Sequence, residues 1–461
     1  MERFGILFTL SIICSLSCHG LTVDEEEPVG LPVLIINTVE AEEPTCDYVE
    51  PPEGGVSLSI TNATKVPGSL TIKHGEKVLY YSGLYEKGNS GITIRIRGNT
   101  SAYLPKKPYK IKLQQKADLL TRSNDKKYED KDWLLLKAGD VDLNTMIGFK
   151  VNELLGLKWS PAYEYVELVM NGDYRGIYML CESVKRNPDC RIDISKDGII
   201  AEYDAYWWNE PTYINSSILS LFKYTFKYPD EEDMTEDKLE MIKTSIYEME
   251  GSIIDGSYEQ TWDVNSLVSW VMAQDILGNS DGWGSNIYFT KNSLYDDSKF
   301  RMANLWDFDM IMKTPDRFSS SHTKWIYEYL STNVCFMDSY KEKWIADGAN
   351  FYNSMINWLA NFRESKTGEA LDTARKQNAK RWNEEYIALS DNVDDAVEWF
   401  GYRYQWMNSK IGNPAVSKIE APLNQIGTSN NTLVYNIKGQ KVTLRSTGEV
   451  YIINGKKHIQ K

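Results

Sequence analysis

Asp281 and Asn286 stand five positions apart in the run Asp281-Gly282-Trp283-Gly284-Ser285-Asn286, and two more carboxylates follow in Trp306-Asp307-Phe308-Asp309. Carboxylates and an amide oxygen are hard donors that suit Mg²⁺, which binds through one or two carboxylates plus the phosphates of a substrate. Moving a γ-phosphoryl group takes one carboxylate to orient the acceptor hydroxyl and others to hold the cation against the phosphates. Asp281 suits the first task, and Asn286, Asp307 and Asp309 suit the second. Each motif also has a plain reading, since Asp-Gly and Asn-Ser are ordinary turn chemistry and an acid at a strand end is usually solvated. The order and proximity of the two motifs favour a site that uses ATP and Mg²⁺.

Protein kinases also place an Asp five positions before an Asn, then a second Asp before Phe after the next strand pair. Here Ile287-Tyr288-Phe289 and Phe300–Leu305 suit a hairpin that returns Asp307 to the Asp281 loop. Two departures exclude an ordinary protein kinase: Asn279-Ser280 replaces His-Arg, and Asp309 replaces the Gly after Asp-Phe. A buried helix is needed to carry the first loop, and Leu267, Val268, Val271, Met272 and Ile276 recur at helical spacing until Gly278. Upstream, Arg97, Gly98, Asn99, Ser101, Lys106 and Lys107 join two alternating runs, Ile92–Arg97 and Tyr109–Leu113. A glycine turn flanked by cations suits either a phosphate cradle or a solvated basic hairpin.

The positioning elements follow from periodicity. Leu31–Asn37, Val56–Ile60 and Leu70–Ile72 are strand-like, and Trp133–Leu136 is a short apolar strand before an amphipathic helix from Leu143 to Leu155. Tyr165–Met170 and Gly176–Cys181 flank Asn171-Gly172, a hairpin signal, with Glu182 at its exit. Residues 202–260 are acidic and aromatic, with a charged helix over Glu231–Glu250. Residues 338–410 have a helical pattern whose core includes Trp344, Phe351, Met355, Trp358 and Leu359. Gly412–Asn431 is a linker by composition, and 432–461 alternates as a small β module. The expected class is α+β.

At 461 residues the chain can hold two or three domains. Its formal charge of −14 argues against nucleic-acid binding, which needs a basic face. Residues 1–20 look like a secretory signal, with Arg3 before the apolar run Phe4–Leu16. Cys18 leaves an outer-membrane lipoprotein as the alternative destination. Beyond the signal, Cys46, Cys181, Cys190 and Cys335 could make two disulfides or remain thiols, with Cys181–Cys190 the shortest loop to close.

Five motifs in order give the chain its resemblance to the CotH kinase family of secreted and spore-coat atypical kinases. They are Arg97-Gly-Asn-Thr-Ser with Pro105-Lys-Lys-Pro-Tyr, Trp133-Leu-Leu-Leu with Asp140 and Asn144, Asn171-Gly-Asp-Tyr-Arg-Gly-Ile-Tyr with Glu182, Asp281-x4-Asn286, and Trp306-Asp-Phe-Asp309. The resemblance covers about 31–410 and implies a reduced, two-lobed protein-kinase-like fold, with an N-lobe over about 31–182 and a C-lobe over about 183–410. It implies ATP and Mg²⁺ as cofactors, and transfer to Ser/Thr hydroxyls of an exported protein acceptor. By the same resemblance Asp281 is the catalytic carboxylate, Asp307 the metal ligand assisted by Asn286 and Asp309, Arg97 and Lys107 face the phosphates, and Glu182 faces the nucleotide. Asn144-Thr145 departs from the Arg-Asn often found there. The terminal module resembles type IX secretion sorting domains, which implies a secretion-machinery partner and a surface or extracellular location.

Two other readings compete. A pseudokinase-like surface protein for adhesion or carbohydrate binding would account for 14 Trp and 29 Tyr. Glycoside hydrolysis by paired carboxylates would use Asp281 and Asp307 but leave the Arg-Gly and Lys-Lys loop idle.

Overall fold

The computed structural model describes residues 30–411, except 56–57, 124, 140–141, 283–285 and 323–324, together with short strands at 434–436, 450–453 and 456–459. The expected signal with Cys18, the motif residue Asp140, the linker beyond Ile411 and the run Gln440–Leu444 lie outside the described residues. The chain divides into two units, one ending at Ile411 and one beginning at Gly412.

Alternating sequence builds the first half of the larger unit: β1 (Val33–Thr38), β2 (Asp47–Val49), β3 (Ser59–Thr61), β4 (Val66–His74), β5 (Lys77–Tyr81), β6 (Ile92–Ile96), β7 (Tyr109–Ala117), β8 (Asp130–Leu136), α1 (Asn144–Leu154), β9 (Tyr163–Met170) and β10 (Asp173–Glu182). Eight of these strands form one sheet in the order β1-β9-β10-β8-β7-β6-β4-β5, and β1 also pairs with β4, so the sheet closes in a barrel-like ring with β5 outside it. The closing contacts are parallel to β9 and antiparallel to β4. Strand periodicity of two turns Ile92, Ile94 and Ile96, then Ile111 and Leu113, then Trp133 and Leu135 into one buried cluster. Each such side chain contributes roughly 1.5–3 kcal/mol on full burial, which fixes the register. Asn171 and Gly172 turn the β9–β10 hairpin with φ of 53° and 81°, the left-handed pair a tight hairpin demands.

A second sheet follows, from β11 (Ile199–Asp204), β12 (Tyr213–Asn215), β13 (Lys223–Tyr228), β14 (Ile287–Lys291) and β15 (Phe300–Asn304), in the order β12-β13-β11-β14-β15. Around it lie α2 (Glu236–Asp255), α3 (Val264–Leu277), α4 (Tyr327–Leu330), α5 (Val334–Arg363), α6 (Lys366–Trp382) and α7 (Leu389–Ile411). Asp263 caps α3 by accepting from the Ser266 N–H, and every residue from Ser266 to Leu277 is buried. A helix buried on all sides sits inside the fold, and this one feeds the Asp281 loop. The larger unit is therefore a mixed α+β fold. No described helix is long and apolar enough to cross a membrane.

In the smaller unit β16 (Val434–Asn436), β17 (Val450–Ile453) and β18 (Lys456–Ile459) pair antiparallel in sequence order. Of the two alternatives open for the cysteines, the structure shows the thiols: Cys46, Cys181, Cys190 and Cys335 are all free. Cys181 is buried in β10, where its Sγ donates to the Glu182 carbonyl at 3.2 Å.

Candidate functional site

The site begins where α3 ends. Gly278 takes the left-handed conformation, φ 58°, and stops the helix, while a Cβ there would meet Trp399 of α7 at 2.7 Å. Glycine thus serves both the C-cap and the close approach of the indole. The chain then passes through Asn279, which is fully buried, to Asp281.

Asn279 is the residue that sequence reasoning missed. Its Oδ1 accepts from the Asp281 N–H at 3.0 Å, and its Nδ2 donates to the Asp307 carbonyl at 3.2 Å. One amide side chain therefore ties the two acidic motifs together. A buried amide left unpaired costs about 1–3 kcal/mol, so both bonds matter to the loop. The available signal was a polar residue just past the Gly278 stop of a largely apolar helix, at the place where kinases carry His-Arg.

Asp307 is returned by the β14–β15 hairpin, as the spacing predicts, with β14 and β15 antiparallel from Tyr288↔Asn304 to Lys291↔Phe300. Asn286 and Asp307 both adopt positive φ, 61° and 63°. Asn and Asp tolerate this region better than most residues, and such backbone strain gathers at functional sites. Phe308 anchors the motif: it is buried and packs edge-on to Phe149 of α1 at 5.6 Å. Gly148 makes room, because a Cβ at that position would overlap the Phe308 ring.

The electrostatics mark these carboxylates as a group. Burial, then the charges of Asp309 and Asp281, push the Asp307 carboxyl up to about 6, against a backbone hydrogen bond from Asp309 and the pull of Arg97. The Asp281 side chain is solvent-exposed, yet the surrounding protein and Asp309 raise its pKa as well. Asn286 donates from Nδ2 to Asp307 Oδ2 at 3.4 Å. Arg97 is half-buried, and burial lowers its pKa while Tyr288 and Asp307 oppose that shift. Arg97 leaves β6 immediately before Gly98, whose φ is 82°.

Asp281, Asn286, Asp307, Asp309 and Arg97 are thus one group. Lys107 and Glu182 make their hydrogen bonds elsewhere. Lys107 Nζ donates to the Ala102 carbonyl at 2.6 Å and lies 3.4 Å from the Tyr48 hydroxyl. Glu182 is buried, accepting from Arg122 Nη1 at 2.9 Å and from the Ala162 N–H at 3.1 Å. Lys106 is buried and donates to Asn378 Oδ1 at 2.8 Å, and Lys110 pairs with Asp132 at 3.3 Å. A polar row not singled out in the sequence lies beside Arg97. Tyr288 and Glu202 face each other across β14 and β11, and Glu202 Oε2 takes Lys227 Nζ at 2.9 Å.

The donor set, two or three carboxylates and an amide, has the hard-oxygen character that Mg²⁺ takes. Like charges held together with one cation beside them give the group a net negative field that favours a divalent ion. Among the described residues, no three His, Cys, Asp or Glu side chains are spaced to form a cage by themselves.

No curated protein gives a significant match to the chain. A family model described as CotH kinase protein matches residues 94–407, a span that runs from β6 into α7 and contains Arg97, α3 and both acidic motifs. The chain belongs to the CotH kinase protein family.

Proposed function

We propose that this protein is a secreted atypical kinase that transfers the γ-phosphoryl group of ATP, with Mg²⁺, to Ser/Thr hydroxyls of exported or surface proteins. The observation that carries this reading is the Asn279 bridge, which puts Asp281 and Asp307 in one acidic group beside Arg97. Asp281 orients the acceptor hydroxyl and takes its proton as the acceptor oxygen bonds to the γ-phosphorus and the bond to the β–γ bridging oxygen breaks. Its raised pKa makes it a better base than an ordinary surface Asp. Asp307, Asp309 and Asn286 would hold the Mg²⁺, which when bound neutralises charge on the phosphates. Arg97 faces those phosphates.

On this reading the barrel-like part and the helical part are the two lobes of a reduced kinase-like fold. The smaller unit is a sorting module of the type IX kind, and the chain acts at the cell surface or beyond it. Lys107 and Glu182 are candidates for nucleotide contact to be settled by substitution. The test is turnover of γ-labelled ATP with Mg²⁺ and a Ser-rich acceptor peptide. Asp281→Asn should lose about 10³-fold or more in turnover while keeping nucleotide binding. Turnover retained in that variant would sink the assignment of Asp281.

A further inference from the structure

The last turn of an α-helix leaves four carbonyls without partners inside the helix. In α3 these belong to Gln274, Asp275, Ile276 and Leu277, and every one is taken. Asn279 N–H reaches the Gln274 carbonyl at 3.1 Å, and Met312 N–H reaches the Leu277 carbonyl at 2.8 Å. Trp399 Nε1 of α7 donates to the Ile276 carbonyl at 3.0 Å. Arg403, one turn further along α7, donates to the Asp275 carbonyl from Nε at 2.7 Å and again from Nη2, while Nη1 reaches the Pro315 carbonyl at 2.6 Å.

The Asp275 side chain completes the arrangement from the other direction. It is 1% exposed, and its two oxygens accept from Ser319 Oγ at 3.2 Å, the Ser320 N–H at 2.9 Å, Ser320 Oγ at 3.0 Å and the Tyr340 hydroxyl at 3.0 Å. A buried carboxylate survives only with such a full set of donors. The acceptor set on α3 therefore fastens the segment after Asp309 at Met312 and Ser319–Ser320, and Arg403 ties Pro315 to the same helix end. The same helix end launches the Asp281 loop.

We propose that Asp275, Trp399 and Arg403 are positioning residues, which hold the Asp281 loop and the Asp307–Asp309 loop in one relative placement from behind the site. Only the effect on turnover rests on the phosphotransfer reading. Displacing a reacting group by about 1 Å can cost ~10²-fold in rate. Arg403→Lys keeps the positive charge but cannot span the Asp275 and Pro315 carbonyls. Trp399→Phe removes the Nε1 donor and leaves an aromatic ring over Gly278, a milder change that keeps the test open if the first variant unfolds. Arg381→Lys is the control, since Arg381 makes a comparable clamp on the Tyr174 carbonyl at 2.7 Å, on a different strand pair.

The experiment is hydrogen exchange on the full chain, followed at the Asp281 and Met312 amides, with turnover of MgATP alongside. In Arg403→Lys both amides should exchange at least ~10-fold faster, kcat should fall about 10- to 100-fold, and KM for ATP should stay within about threefold. Trp399→Phe should move the same amides less, and Arg381→Lys should leave them as in the unaltered chain. Unchanged exchange at both amides in Arg403→Lys and Trp399→Phe, with melting temperatures lowered as in Arg381→Lys, would overturn the proposal. If the unaltered chain neither binds nor turns over MgATP, the phosphotransfer reading fails on its own, and the exchange result alone decides the positioning role.

Discussion

Two groups of acidic side chains in this molecule have opposite electrostatic fates. At the start of β8, Asp130 and Asp132 are buried, and burial alone would raise both. Cations more than reverse it, holding Asp130 below its ordinary value and bringing Asp132 down to about 2. Lys185 reaches Asp132 at 2.7 Å and Asp130 at 3.3 Å, Lys110 reaches Asp132 at 3.3 Å, and Arg191 lies 3.7 Å from Asp130. At the loops after α3 and β15, burial is joined by like charges, so Asp307 rises to about 6 despite the pull of Arg97. The first group is neutralised within the fold. The second keeps an uncompensated negative charge, which is the electrostatic condition that favours a divalent cation.

Asp132→Asn should be the most disruptive change, because it takes the carboxylate from Lys110 and leaves Lys185 with Asp130 alone. Asp132 is buried but both lysines are about one-third exposed, so solvent screening discounts the cost of a fully buried pair, and the loss should still exceed that of the other variants, with thermal unfolding shifted down. A shift within error would show that the network is not structural. Its pH dependence follows from the depressed pKa: the stabilisation is complete above about 4, the carboxyl's value when unfolded, and is lost as pH falls toward 2.

Asp307→Asn should act with the opposite sign. A carboxyl raised from 3.8 to about 6 in the fold destabilises whenever it is ionised, so at pH 7.5 the Asn variant should be more stable by up to about 3 kcal/mol. The advantage should shrink as pH falls through 6 and vanish below about 4. Equal melting temperatures at pH 7.5 and pH 4 would contradict the uncompensated-charge picture. Such a gain in stability on loss of a site residue is the usual trade at functional positions.

Gly148→Ala attacks the second group from its support. The added methyl competes with Phe308 for the same space, and overpacking of this kind costs about 1–3 kcal/mol. Turnover should fall with it, and a variant that loses stability without losing turnover would detach Phe308 from the site. The smallest effect is expected at Lys107→Ala. Its ammonium is already engaged by the Ala102 carbonyl, so ATP affinity should change less than about threefold, well under the ~1.4 kcal/mol of a tenfold loss. A tenfold loss would restore Lys107 to the nucleotide site.

What could be read in the sequence was local. The apolar run from Leu267 to Ile276, the stop at Gly278, the Asn171-Gly172 turn and the two acidic motifs all declare themselves through periodicity or turn chemistry. The barrel-like closure did not, because it depends on β1 meeting β9 and β4 at once, and pairing between distant strands leaves no periodic mark. The strands β11 and β13 were hidden in an acidic, aromatic stretch, where Glu202 and Lys227 face each other and neither looks like a core residue. Asn279 was passed over because its value lies in two hydrogen bonds that exist only when both loops are in place.

The most direct measurement is calorimetric titration of the full chain with ATP, with and without Mg²⁺, beside Asp307→Ala. The account predicts binding that requires Mg²⁺ and disappears in the variant. ATP binding that is indifferent to Mg²⁺ and to Asp307, or no binding at all, would contradict it and return the surface-adhesion reading to the front.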